Sequence, residues 1–202
     1  LAQRQREANK LILEGAMPWE VDDVLYNFGF PMGPFAMSDL TGLDIGWDED
    51  LSTGDTIRDK LCEIGSLGQK TGKGFYIYDE KRNKKADTEV ENLIVEFSEK
   101  HQIKRRKISK EEILERCLYP MINEGFKILE EGMAIRASDI DIVWINGYGW
   151  PVYEGGPMFY GQLIGYEKIL EWHKEMEIKF GSDFTPSPYL EKVVNEKINL
   201  FG

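Results

Sequence analysis

A glycine-rich loop carries two lysines that could contact an anion. Lys70 and Lys73 lie in the stretch GQKTGKG, which begins at Gly68. Its composition suggests a phosphate-binding loop, in which backbone N–H groups and a lysine surround a phosphate. That loop needs four residues between its glycines and a Ser or Thr after its lysine, whereas here three residues separate Gly68 from Gly72 and Gly74 follows Lys73. We therefore exclude nucleotide hydrolysis and keep two interpretations, a lysine contact with an anionic ligand or a solvated turn.

The remaining candidate residues also lack the spacing of a known catalytic or metal site. His101 and His173 lie in charged helical segments without HxxxH or HExxH spacing, so we expect both at the surface and not on a metal. The sequence has no GxSxG turn for a serine nucleophile and no GxGxxG for a dinucleotide. Cys62 and Cys117 have no CxxC partner. They predict two buried thiols in a reducing compartment, with a disulfide between them left open.

The charge balance restricts the partners. The 202 residues include 36 Asp and Glu against 25 Lys and Arg, which gives a net charge of −11. Nucleic-acid binding needs a basic surface, so we expect no nucleic-acid partner. We also expect no membrane insertion, because no apolar run approaches the roughly 20 residues of a membrane helix. With 42% apolar residues the chain is able to bury a core, and its length suits one or two domains.

Helical patterns cover most of the chain and must position these residues. The segment Pro18–Phe28 opens with a proline, which suits a first helical turn, and a glycine follows it. The segment Ser109–Gly132 has the clearest apolar stripe, at Ile113, Leu114, Cys117, Leu118, Met121, Ile122 and Phe126. Between them, GSLGQKTGKGFYIY predicts a loop with at most a small extended segment, and residues 81–86 predict a solvated connector. The predicted fold class is therefore all-α.

The helical pattern occurs twice. Three pairs of short motifs match in the same order: Glu14-Gly15 with Glu131-Gly132, Gly29-Phe30-Pro31 with Gly149-Trp150-Pro151, and Gly33-Pro34 with Gly156-Pro157. The offset grows from 117 residues (Glu14 to Glu131) to 123 residues (Gly33 to Gly156), so short insertions separate the copies. We predict a tandem duplication of one helical unit. The repeated corner is explained most simply by a helix stop at glycine and a helix start at proline.

Three motifs in this order carry a resemblance to a known family: FGFPMGPFAMSDLTGLDIG, LGQKTGKGFYIY and GYGWPVYEGGPMFYGQLIG. Together they resemble the C-terminal helical part of L-3-hydroxyacyl-CoA dehydrogenase. The two copies resemble the tandem helical domains of the multifunctional β-oxidation enzymes, and the GGPMFY form resembles the peroxisomal bifunctional type. The resemblance implies a 6-phosphogluconate dehydrogenase C-terminal-like fold. We place the first helical domain at residues 1–85, a charged helical linker at 86–108 and the second helical domain at 109–202.

The resemblance also implies an activity. Members oxidise 3-hydroxyacyl-CoA to 3-ketoacyl-CoA with NAD, using a His–Glu pair on an upstream Rossmann domain that binds most of the cofactor. We therefore expect no catalytic residue in this chain, and no activity in isolation. Lys70 matches the lysine of the family's KTGxGFY loop, which implies a contact with NAD, and Tyr160 matches an aromatic position associated with the acyl-CoA substrate. A peroxisomal location is implied, with mitochondrial or cytoplasmic alternatives, although the last residues, NLFG, are not a peroxisomal address.

Two alternatives to this assignment stay open. A non-catalytic interaction or dimerisation module derived from the same family would pair helices only. The residues before Leu1 would discriminate, because the enzyme requires GxGxxG, a His–Glu pair and an Asn-Arg pair there. A dehydrogenase of the 6-phosphogluconate type should lack the paired GFP…GP corners. The expected partners are an acyl-CoA substrate and the upstream Rossmann domain, with the two repeats pairing inside one chain, which favours a monomer.

Overall fold

The computed structural model describes residues 1–201, and most of them form helices, which confirms the all-α prediction. Over that range ten α-helices follow one another: α1 (Ala2–Glu14), α2 (Pro18–Phe28), α3 (Pro34–Thr41), α4 (Ile57–Glu63), α5 (Thr88–Lys100), α6 (Lys110–Glu130), α7 (Ala137–Tyr148), α8 (Pro157–Ile164), α9 (Tyr166–Phe180) and α10 (Pro188–Glu196). Short 3₁₀ turns lie at Gln69–Thr71, Val152–Glu154 and Ser182–Phe184. No helix within residues 1–201 combines the length and the apolar composition needed to cross a membrane.

A β-hairpin interrupts the helices directly after the glycine-rich loop. Strands β1 (Tyr76–Tyr78) and β2 (Lys84–Ala86) pair in antiparallel register. The Asp79 side chain shapes the turn between them by accepting the backbone N–H of Lys81 at 2.9 Å. The predicted connector at residues 81–86 is therefore corrected, because its second half is a strand. The residues of β2 are exposed and show no alternation of apolar and polar side chains, so no sequence pattern indicated a strand. The strand forms by pairing with β1.

By contacts between residues, the chain divides into two compact units. The hairpin unit comprises Ala8–Asn27 and Pro31–Ile113, and so contains the glycine-rich loop and the β-hairpin. The C-terminal unit comprises Leu1–Glu7, Phe28–Phe30 and the described residues from Leu114 onward. The domain boundaries expected from the repeat stay a prediction, because a repeat describes similarity along the sequence whereas these units describe contacts.

The hairpin unit is held together around the end of α1. Gly15 follows this helix at φ +145°, and a β-carbon there would lie 1.8 Å from the carbonyl oxygen of Arg106. The backbone N–H of Arg106 donates to the Glu14 carbonyl at 2.9 Å, and the Arg105 guanidinium donates to the Ile12 carbonyl at 2.6 Å. A cation and an N–H group thus satisfy carbonyls that a helix end leaves free. The basic end of the predicted linker therefore stabilises α1.

The C-terminal unit packs the first turns of α1 against α6. Glu7 and Arg116 form an ion pair in which both side chains are fully buried, and Arg116 Nε lies 3.0 Å from Glu7 Oε2. The Arg4 guanidinium carbon lies 4.7 Å from the centre of the Phe30 ring. Removing one member of such a buried pair is strongly destabilising, by about 3–5 kcal/mol. The first residues of the chain are therefore part of the core of this unit.

Candidate functional site

A buried carboxylate caps the helix that follows the first Gly-Pro corner. Asp22, in α2, accepts the backbone N–H of Phe35 at 3.0 Å and that of Ala36 at 2.8 Å, in the first turn of α3. These N–H groups have no partner inside the helix, and the helix dipole favours a negative charge beside them. A β-carbon on Gly33 would lie 2.3 Å from Asp22 Oδ1, so glycine lets the carboxylate approach. Burial raises the pKa of Asp22, and the N–H donors oppose that rise.

The second corner repeats this arrangement. Asp141, in α7, accepts the backbone N–H of Met158 at 2.7 Å and that of Phe159 at 3.1 Å, at the start of α8. Gly156 lies at φ +95°, and a β-carbon there would lie 2.3 Å from Asp141 Cβ. Burial raises the pKa of Asp141 to about 6, against the effect of the two N–H groups. The predicted duplication therefore extends to a buried acid that sequence reasoning missed, although an Asp among the apolar residues of each helix was a visible signal.

A third buried carboxylate ties the glycine-rich loop to α3. Asp39 accepts the backbone N–H of Phe75 at 2.9 Å and that of Tyr76 at 3.0 Å, and the Tyr78 hydroxyl donates to it at 2.9 Å. Burial raises the pKa of Asp39 to about 6, while the same donors act in the opposite direction. Gln162 occupies the corresponding position 123 residues further on, and α9 follows there in place of a loop. The lysine-bearing loop is thus a feature of the first copy.

Lys70 projects from the 3₁₀ turn Gln69–Thr71 and is already paired. Its Nζ donates to Asp44 Oδ2 at 2.6 Å, and both side chains are partly exposed. This hydrogen bond holds the pKa of Asp44 below its usual value. Lys73 pairs in the same way with Glu89, at 3.1 Å. An anionic ligand would therefore have to replace a carboxylate beside Lys70, and the role of Lys70 in cofactor binding stays a prediction.

Tyr160 lies in α8 within an aromatic cluster formed by Phe28, Phe30, Trp150 and Tyr160. Its ring centre lies 5.1 Å from that of Phe28 and 5.7 Å from that of Trp150, and both contacts are edge to face. Burial raises the pKa of Tyr160 to about 12. The indole N–H of Trp150 is buried and has no hydrogen-bond partner among residues 1–201. Packing thus holds the Tyr160 ring in place, and its role in substrate binding stays a prediction.

The two predicted site residues belong to different compact units, Lys70 to the hairpin unit and Tyr160 to the C-terminal unit. The hairpin unit by itself contains a pocket of about 330 Å³, which we call the hairpin pocket. Pro31 and Met32, from the first Gly-Pro corner, line it together with Tyr78 of β1. Sequence reasoning did not locate this pocket, because its walls come from segments far apart along the chain that only the fold assembles.

His173 is buried, which corrects the expectation of a surface position. Its Nδ1 lies 2.9 Å from the carbonyl oxygen of Phe184, and its Nε2 lies 3.3 Å from that of Tyr119. Burial lowers the pKa of His173, since the ring sits in a core that disfavours its charged form. Its charged neighbours in α9 suggested an exposed site, but they lie on the exposed face of an amphipathic helix. Among the residues that the structure describes, no three His, Cys, Asp or Glu side chains form a metal-binding group.

Comparison with protein families gives one match that covers most of the chain. The family described as "3-hydroxyacyl-CoA dehydrogenase, C-terminal domain" matches residues 1–78 and again residues 113–199. The two matched segments correspond to the two copies of the repeat. They leave out the stretch that contains α5 and the basic residues after it.

Curated relatives and solved structures also indicate the 3-hydroxyacyl-CoA dehydrogenase family. Peroxisomal bifunctional enzymes of Pongo abelii and Homo sapiens are 43% and 42% identical over 94% of this chain, which spans about 30% of the length of either relative. The crystal structure of the dehydrogenase part of multifunctional enzyme 1 from C. elegans is 31% identical, with a TM-score of 0.73 over 95% of this chain and 45% of that one. A 3-hydroxybutyryl-CoA dehydrogenase from Escherichia coli, 18% identical with a TM-score of 0.68 over 96% of this chain and 59% of its own, shares the fold.

Proposed function

Because the chain belongs to the 3-hydroxyacyl-CoA dehydrogenase C-terminal domain family, we propose that it forms the helical part of an enzyme that oxidises 3-hydroxyacyl-CoA to 3-ketoacyl-CoA. The observation that carries this proposal is the match of the family to both copies of the repeat in one chain. The peroxisomal relatives add support for a role in fatty-acid β-oxidation and for a peroxisomal location. The hydride acceptor is NAD, which supplies the redox chemistry when bound.

Most of the NAD contacts belong, in this proposal, to an upstream Rossmann domain. Residues 1–201 form no parallel sheet of the kind that binds a dinucleotide, and their one hairpin is antiparallel. The fit of this chain to NAD is therefore limited to a cationic contact. We assign this contact to Lys70, and its partial exposure and its pairing with a carboxylate that an anionic phosphate can replace support the assignment.

The acyl-CoA contact of this chain is assigned to Tyr160. The ring is fixed by Phe28 and Trp150, so it presents a rigid surface at little cost in conformational entropy. Tyr160 is half-buried, and an aromatic ring with a hydroxyl can make an apolar and a polar contact at once. Since the hydroxyl makes no hydrogen bond with residues 1–201, it is available to a substrate.

Kinetics of the full-length protein test the assignment of Lys70. We expect Lys70→Ala to raise KM for NAD about tenfold, the loss of one charge-assisted contact worth about 1.4 kcal/mol, with KM for acyl-CoA unchanged. Lys73→Ala is the matched control, because it removes the same charge from the same loop and from a similar ion pair. An equal effect of the two substitutions would show that only the general charge of the loop matters.

The same assay separates the two roles of Tyr160. Tyr160→Phe keeps the packed ring and removes the hydroxyl, so we expect unchanged thermal stability and a KM for acyl-CoA raised about threefold to tenfold. NAD kinetics should not change. A variant with normal acyl-CoA kinetics would leave Tyr160 a packing residue only. Production of NADH by the 202-residue chain alone would contradict the proposal that the catalytic groups lie elsewhere.

We also propose that the protein is a monomer. Two copies of the helical unit in one chain can provide internally the helix pairing that single-copy relatives would obtain from a second subunit. The double match of the family to residues 1–78 and 113–199 supports this idea. Sedimentation velocity should give a mass of 23.3 kDa for the chain at micromolar concentration, and a stable dimer would contradict it.

A further inference from the structure

The hairpin pocket has an apolar wall that no part of the described chain fills. Its volume of about 330 Å³ lies at the lower end of the range of small-molecule sites. The apolar lining comes from Tyr26 at the end of α2, from Pro31 and Met32 in the corner, and from Ala36 in α3. Tyr26 is 64% exposed, so its side chain is accessible to a ligand. This wall therefore suits a small apolar group of a ligand.

The lining of the pocket also includes two cations from the β-hairpin, Arg82 and Lys84. Residues 81–85, in the hairpin turn and the start of β2, carry four cations and no carboxylate, in a chain with a net charge of −11. Arg82 and Lys84 line the pocket together with Asp23. The Lys84 ammonium is partly engaged, since it lies 3.8 Å from Asp22 Oδ2 and 4.6 Å from the centre of the Tyr76 ring. Arg82 forms no ion pair with any described residue and is the cation available to a ligand.

The turn fixes Arg82 in an unusual backbone conformation. Arg82 lies at φ +63°, a region that costs a non-glycine residue roughly 1–2 kcal/mol. Its N–H donates to the Asp79 carbonyl at 2.8 Å. The Asp79 carboxylate accepts the backbone N–H groups of Lys81 and Asn83 and the Asn83 side-chain amide, at 2.8 to 2.9 Å. This network stabilises the strained residue and holds it at the pocket.

We propose that the hairpin pocket binds an amphipathic anion, with its apolar body against Tyr26 and Met32 and its carboxylate or phosphate on Arg82. An acidic protein repels anions in general, so a cation beside an apolar wall is what such a ligand requires. The guanidinium donates two parallel hydrogen bonds to either anion, which fixes the head group while burial of the body supplies affinity. This site goes beyond the proposed dehydrogenase reaction and does not depend on it.

Two sources of this chemistry are a fatty carboxylate and a nucleoside phosphate. Isothermal titration of the 202-residue chain with decanoate and with adenosine 5′-monophosphate distinguishes them, and at least one should bind. Decanol, which lacks the charge, and inorganic phosphate, which lacks the apolar body, should each bind at least tenfold more weakly than the better probe. Failure of both probes to bind, or equal binding of inorganic phosphate, would overturn the proposal.

Substitutions locate the binding site. Arg82→Asn should lower the affinity for the bound probe about tenfold, because it removes the guanidinium. Asparagine tolerates the positive φ, so the turn should be kept. Lys81→Asn removes the same charge from the adjacent residue, which does not line the pocket, and should leave the affinity within twofold. Tyr26→Ser removes the exposed ring and should also weaken binding. Equal effects of the Arg82 and Lys81 substitutions, or an unchanged affinity in Arg82→Asn, would show that the anion binds elsewhere.

Discussion

At Gly156 the space that a β-carbon would fill is taken by the side chain of Asp141. The first copy has the same requirement at Gly33, whose φ of −77° any residue can adopt, yet a β-carbon there would also meet its buried acid. Close approach of a carboxylate, and not the sign of φ, is thus what the two corners share. The glycine before each proline serves the helix that begins there, in addition to any role in ending the preceding helix.

The requirement for glycine can be separated from the cost of a positive φ. Gly156 and Gly181 lie at φ +95° and +89°, but a β-carbon on Gly181 would meet no atom within 4 Å. We expect Gly181→Ala to lower the free energy of unfolding by about 1–2 kcal/mol through strain alone. Gly156→Ala should cost about 1–3 kcal/mol more, because Asp141 must move. Urea unfolding of both variants measures the difference, and equal losses would contradict this explanation.

Residues differ in how far their environment could be predicted from sequence. Cys62 and Cys117 are buried free thiols, as their spacing predicted. His173 and the buried acids were misjudged or missed, because a polar residue is buried only when distant backbone groups satisfy it. For His173 those groups are the carbonyls of Tyr119 and Phe184. Such partners follow from tertiary packing and not from the local pattern.

At the scale of elements, α8 depends on a carboxylate from another helix. Its preceding residue, Gly156, has no side chain to cap it, so Asp141 performs this function from α7. The α7–α8 pair is therefore one structural piece, in which α7 supplies the acceptor that α8 lacks locally. The same holds for α2 and α3 through Asp22. A long-range cap of this kind couples the formation of the two helices.

The cap gives a pH dependence with a definite sign. The pKa of Asp141 is about 6 in the folded protein against an ordinary value of 3.8. Between these values the folded protein binds a proton that the unfolded chain does not, so this group adds stability as the pH falls from about 6 to about 4. We expect Asp141→Asn to lower the free energy of unfolding by about 1–3 kcal/mol at pH 7. The difference from the wild type should be larger at pH 4.5.

Urea unfolding at pH 7 and pH 4.5 measures the difference in unfolding free energy between the wild type and Asp141→Asn. The other buried carboxylates remain in both proteins, so their contributions cancel in the comparison. Asp139→Asn is the control, because it removes a partly exposed carboxylate from the same helix, and the difference in unfolding free energy should not widen at low pH. A constant gap for Asp141→Asn at both pH values would show that the carboxylate titrates normally.

Helices were predictable and the second strand was not, for a physical reason. An amphipathic helix such as α6 carries its own periodicity, and the duplication repeats it. Strand β2 has three exposed residues and no apolar alternation, so its sequence predicts nothing. It forms because β1, whose first residue is held by Asp39, supplies the backbone partners of β2 across the Asp79 turn. The hairpin pocket also could not be predicted, because its lining residues come from segments far apart along the chain.

At the scale of the whole molecule, the compact units and the sequence order do not coincide. Residues 1–7 and 28–30 belong to the C-terminal unit, although the hairpin unit contains the residues between and after them. The C-terminal unit therefore obtains part of its core from the start of the chain. Glu7 and the Phe28 ring are examples, in contact with Arg116 and Trp150 respectively.

A fragment of residues 109–202, the second domain expected from the repeat, should thus be much less stable than the intact chain. Without Glu7, Arg116 loses the buried ion pair between them, at about 3–5 kcal/mol. Circular dichroism on heating should show a broad transition at low temperature. Adding a peptide of residues 1–30 should sharpen it, and Arg116→Leu should recover part of the loss. A fragment that unfolds at the temperature of the intact chain would contradict this prediction.

The aromatic cluster of Phe28, Phe30, Trp150 and Tyr160 has a consequence for biosynthesis. Phe30 contacts Trp150, which is added to the growing chain 120 residues later. At roughly 5–20 residues per second, the ribosome needs about 6–24 s to make that stretch. During this interval the Phe28 and Phe30 rings lack the indole that covers them in the folded protein. The segment that carries Phe28 and Phe30 therefore reaches its final environment only after Trp150 has been made.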